Sequence, residues 1–134
     1  MKSKRLRFLA MLVGSLAACL PLHAHHGAAA YLDKLVVLKD ATVTKFLWAN
    51  PHSIVLFDAK DENGNVTHWA GEAGSPSAIG LLGWNRNSLK PGDVITVYIF
   101  PAKSGNPVGR LNKIVLADGT TLRDSQLGGY KKEQ

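Results

Sequence analysis

The chain has 134 residues, 46% of them hydrophobic and 19% charged, with 16 basic and 10 acidic side chains. That composition excludes a disordered chain and a coiled coil, and the length leaves room for one modest domain rather than a multidomain enzyme. The excess of positive charge is concentrated at the start, where Lys2, Lys4, Arg5 and Arg7 precede any acidic residue.

Those cations open an N-terminal pattern of basic segment, apolar run over residues 8–20, helix breaker Pro21 and small residue Ala24. This is the order of a secretory signal peptide, and the apolar run is too short for the ~20 residues of a transmembrane helix. Cleavage after Ala24 makes residues 1–24 the signal and leaves a mature chain of 110 residues with twelve basic and ten acidic side chains. The expected location is periplasmic. The basic balance therefore belongs mostly to the export signal, and a nucleic-acid partner has little support. The sole cysteine, Cys19, sits in Leu16-Ala17-Ala18-Cys19. That segment also fits a lipoprotein box, so a lipid anchor at Cys19 is the alternative processing route. Either way the mature domain forms no internal disulfide.

A short lead, residues 25–34, carries His25, His26 and Tyr31. After it the chain reads as strands separated by turn residues. Residues 35–48 are rich in Val, Thr, Leu and Phe, with Lys39-Asp40 expected to bend or bulge the strand. Asn50-Pro51 ends it, because Pro51 has no amide donor and restricts Asn50. Residues 53–60 form the second strand, Asp61 to Asn65 a hairpin turn with Gly64 at positive φ, and residues 66–73 the third strand.

The pattern then switches to a helix. Ser75-Pro76 supplies a cap and a proline at the first helical position, and Gly83 marks the expected stop. Ala78, Ile79, Leu81 and Leu82 give an apolar face, with Ile79 and Leu82 expected to point inward. Lys90-Pro91-Gly92-Asp93 turns into a fourth strand over residues 94–100. A fifth spans 109–117, followed by a short segment at 120–122 and a frayed tail at 128–134. Three strands, one helix and two strands make a mainly β class. Their order is that of an OB-like five-stranded barrel over residues 35–127. The alternative is a five-stranded half-sandwich with a docked helix.

Chemistry is sparse. No nucleophile elbow, phosphate loop or zinc-protease helix is present, and the mature chain has no thiol nucleophile. His68 and Glu72 share a strand face, but such a pair is common on solvated sheets. No catalytic residue is assigned, and the chain is read as a non-enzyme. Histidine placement is more informative. A mature chain beginning His25-His26-Gly27 can chelate a divalent metal through its terminal amine and imidazoles, a nitrogen-rich set suited to copper(II) and next to zinc. His52, after Asn50-Pro51, delivers a third imidazole at the barrel rim. Both methionines, Met1 and Met11, leave with the signal, which excludes a thioether site for copper(I). Trp48, Trp69 and Trp84 are assigned to the core in preference to a stacking platform.

Several short motifs together resemble a family of small secreted bacterial proteins of unknown function. They are His25-His26, Tyr31, Trp48-Ala49-Asn50-Pro51-His52, Asp61 to Gly64, Trp69 to Glu72, Ser75-Pro76, Gly83-Trp84 and Leu89 to Asp93. Gly71 departs from that pattern, which usually has an aliphatic residue there. The resemblance implies secretion and makes His25, His26, His52 and Glu72 the candidate metal ligands. It implies no reaction. The resulting expectation is a non-catalytic ligand-binding protein with copper(II) or zinc as ligand. The alternative is a cell-envelope interaction module that binds a protein or glycan through its barrel face.

Overall fold

A computed structural model describes residues 30–124. Residues 1–24, the expected signal with Cys19, the His25-His26 pair and the tail beyond residue 124 lie outside the described residues. Six strands follow in chain order: β1 (Val36–Leu47), β2 (Ile54–Lys60), β3 (Val66–Glu72), β4 (Val94–Pro101), β5 (Val108–Leu116) and β6 (Thr121–Arg123). One helix, α1 (Pro76–Gly80), lies between β3 and β4. The sheet order is β3-β2-β1-β4-β5-β6, and an additional β3–β5 pairing closes five strands into a barrel. That closure is parallel and short, matching Ala70, Gly71 and Glu72 with Val108, Gly109 and Arg110.

Alternation of the sequence sets which side chains enter the barrel. Val55, Phe57 and Ala59 of β2 point inward and are buried, as are Ile95 and Val97 of β4. Ile99, Leu111 and Ile114 complete the wall of the core. The expected irregularity in β1 is real: pairing with β4 shifts between Leu38 and Ala41, and Asp40 takes φ 53°. The bulge lets one long strand serve both neighbours, β2 and β4. At the β2–β3 hairpin, Asp61 accepts from the backbone N–H of Asn63 and Asn65 and from Asn65 Nδ2, while Gly64 adopts φ 82°.

The helix differs from its sequence expectation in length and in the residues it buries. Ser75 caps it and Pro76 starts it as expected, but it ends at Gly80 after five residues rather than running to Gly83. The Trp84 N–H then bonds back to the Ile79 carbonyl at 3.2 Å. This turn sends Leu81 and Leu82 to the surface, where they are 89% and 45% exposed. Ile79 is fully buried, so it alone is the inward aliphatic anchor of α1. Trp84 enters the core instead: it is buried, its ring lies 5.8 Å from that of Phe46, and its Nε1 donates to the Arg123 carbonyl. Trp48 and Trp69 are half-buried against the same core, Trp69 stacked on its β2 partner Phe57. The core assignment thus holds for Trp84, while Trp48 and Trp69 pack on the core from partly exposed positions.

Candidate functional site

The outer face of the β3–β5 seam gathers side chains from four distant parts of the chain. Glu72 ends β3, and its outward side follows from Gly71 beside it, which points into the barrel against Leu111. His52 stands just before β2, where Ser53 exchanges backbone hydrogen bonds with Ala73 and Gly74. That ladder holds the rim turn against the end of β3. The turn itself contains a cis Asn50-Pro51 bond. Tyr31 reaches the site from the opposite side, because the lead is strapped to the end of β4. Leu32 donates to the Pro101 carbonyl and the Lys103 N–H to the Ala30 carbonyl, while Tyr31 bridges to Ala102.

At the centre of this arrangement is the Glu72 carboxylate. The Tyr31 hydroxyl donates to its Oε2 at 2.9 Å, and His52 Nδ1 pairs with its Oε1. An ionised carboxylate only accepts, so both partners supply a proton to it. A proton on Nδ1 leaves the lone pair of neutral His52 on Nε2. Both His52 and Glu72 are partly exposed, at 37% and 29%. The Tyr31 hydroxyl is pushed up to about 12, first by burial, then by its hydrogen bond to Glu72 and the negative charge there. Arg110 acts on Tyr31 in the opposite direction. Arg110 is the in-register neighbour of Glu72 across the seam, and its guanidinium lies 5.3 Å from the centroid of the buried Phe100 ring.

Of the candidate ligands, His52 and Glu72 are therefore brought together. His25 and His26 lie outside the described residues. Each oxygen of Glu72 already has a partner, Oε2 the Tyr31 hydroxyl and Oε1 the His52 ring. No group of three or more His, Cys, Asp or Glu side chains poised for a metal occurs among the described residues. His68 and Glu72 do not form an acid–base pair. His68 Nδ1 instead meets Asp58 Oδ1 at 2.6 Å, directly across β2–β3, with the His68 side chain 83% exposed.

Sequence reasoning missed Arg110 and the role of Tyr31 as a donor. Arg110 had one legible signal: it lies between Gly109 and Leu111, both buried, so strand alternation places it outward. A shallow groove of about 420 Å³ runs over the outer face from β1 through β2 and β3 to the start of β5, lined by Thr44, Leu56, Asp58, His68, Ala70 and Val108 among others.

The chain belongs to a family described as a family of unknown function, DUF6152, whose model matches residues 13–112. No curated protein and no solved structure matches it.

Proposed function

We infer that this member of a family of unknown function is an exported, non-catalytic binding protein. Its ligand in this reading is copper(II) or zinc, held by His52 together with His25 and His26. The observation that carries the reading is the Glu72 carboxylate shared between Tyr31 and His52. Metal-ligating histidines commonly donate their second ring N–H to a carboxylate, which fixes the tautomer and raises the basicity of the ligating nitrogen. Glu72 supplies that arrangement and leaves Nε2 of His52 for the metal. The same carboxylate fastens Tyr31, which lies five residues after His26. Five residues span at most about 18 Å, a tether that in this reading lets the histidine pair approach His52. Cleavage after Ala24 adds a terminal amine at His25. Two or three imidazoles with an amine form a tetragonal nitrogen set that favours copper(II) over zinc.

Titration of the full chain with each metal tests this reading, with mass spectrometry reporting the N-terminus. Copper(II) binds more tightly than zinc, and a chain starting at His25 carries the free amine. His52→Ala weakens binding, and Glu72→Gln weakens it about 10- to 100-fold although it removes no ligand. Imidazole and amine ligands release protons on binding metal, so affinity falls between about pH 7.5 and 5.5. A peptide of residues 25–35 that binds copper as tightly as the whole chain would overturn the reading.

A second reading is a cell-envelope interaction module. The observation favouring it is the apolar groove over Leu56, Ala70 and Val108 on the outer face of the sheet. An absence of metal affinity in the full chain makes this the better account.

A further inference from the structure

Arg110 stands beside the carboxylate bridge and takes no part in it. Both oxygens of Glu72 are engaged by Tyr31 and His52, and no carboxylate among the described residues pairs with Arg110. The Arg110 Nε is shielded from solvent and has no hydrogen-bond partner. A partly desolvated guanidinium is unfavourable when its neighbouring carboxylate, Glu72, is already engaged by two other groups and its own donors are not all satisfied. Its contact with the Phe100 ring gives back only part of that cost.

The geometry also restricts what can supply the charge. Phe100, across β4–β5 from Arg110, is buried outside the main core cluster and presents its ring to the guanidinium. A guanidinium is a planar fork whose terminal Nη atoms suit two-point recognition of a planar anion. The Tyr31 hydroxyl, protonated up to about pH 12, adds a neutral polar group beside it. Glu72 in the next strand repels anions, and it disfavours a dianionic phosphate more than a singly charged carboxylate.

We propose that Arg110 is an anion subsite on the outer face of the β3–β5 seam, binding the carboxylate of a small organic acid through its Nη atoms. A ligand held there lies next to His52 and Glu72, so a metal–carboxylate complex is the natural occupant of the combined site. The subsite rests on a side chain that the metal reading does not use, and in metal-free protein the two fail separately.

The test is calorimetry on the full chain, stripped of metal by a chelator, titrated with acetate and then malonate at constant ionic strength. Saturable binding is expected, weakened about tenfold or more by Arg110→Gln. Arg110→Lys keeps the charge and most of the stem but loses the fork, so it weakens binding to a lesser degree. Lys113→Gln removes another cation that lies over an aromatic ring, Tyr98, and leaves binding unchanged. A response equal to that of chloride overturns the proposal, as does tighter binding of inorganic phosphate. Unchanged affinity in Arg110→Gln overturns it too. If the glutamine variant does not fold, the lysine variant decides: undiminished affinity rejects the subsite and a severalfold loss supports it.

Discussion

Gly71 and Gly109 are direct partners across the parallel β3–β5 seam, and neither position has room for a side chain. A Cβ at Gly71 would lie 2.7 Å from Leu111 Cδ2. One at Gly109 would lie 2.6 Å from the Phe100 carbonyl oxygen and 2.7 Å from Ile99 Cγ1. Gly71 makes room for Leu111 of β5 and Gly109 for the β4 backbone at Phe100, at the expense of backbone entropy.

Gly71→Ala is therefore expected to destabilise the chain by about 1–3 kcal/mol, the usual range for overpacking a filled core. Gly109→Ala costs at least as much, because the atom it meets belongs to the backbone and cannot turn aside. Urea unfolding of the two variants measures both losses. Unchanged midpoints would mean that the seam is looser than its contacts imply.

Ile79→Ala should cost about 2–5 kcal/mol, since it empties a fully buried position. Leu82→Ala, at a 45% exposed position, should stay within about 0.5 kcal/mol of the parent chain. Thermal or denaturant unfolding of the pair distinguishes the observed one-turn helix from the longer one suggested by the sequence. Equal losses would restore Leu82 to the core.

The ionisation of Tyr31 offers a direct readout of the carboxylate bridge. Its hydroxyl is raised from 10.0 to about 12 in the folded chain. The unfolded chain thus gives up this proton first, and the stability linked to Tyr31 is intact below about pH 10. It is lost as pH climbs toward about 12. A phenolate absorbance titration should show one late-ionising tyrosine that disappears in Tyr31→Phe. In Glu72→Gln the late transition moves down toward the ordinary value. A late step that persists in Tyr31→Phe would assign it to another tyrosine.

What could be read in advance was local or periodic. Alternation in the strands, the bulge at Lys39-Asp40 and the Asp61 turn each depend on neighbours within a few residues. Their order along the chain was enough to indicate the barrel. The helix was misjudged because Ala78, Ile79, Leu81 and Leu82 satisfy a helical period whether or not the helix continues. The outcome was decided by a tertiary competitor, Trp84, whose burial and bond to Arg123 claim the adjacent space. The site was half legible. His52 and Glu72 stood out by residue type, but Tyr31 and Glu72 meet across 41 residues of sequence, and no spacing rule reaches that far. Arg110 joins them only through strand register.

The three-residue β3–β5 pairing gives this site an unusual dependence on folding. Tyr31 and Arg110 join the His52–Glu72 pair only when that last gap in the cylinder is shut, so an open barrel offers the pair without the other two. Any occupant is then a clasp across the seam. At a concentration one hundred times its dissociation constant it would add about 2.7 kcal/mol to the closed state. Hydrogen exchange at the seam amides would register that clasp as slowed opening, reporting ligand capture even where nothing in the structure visibly moves.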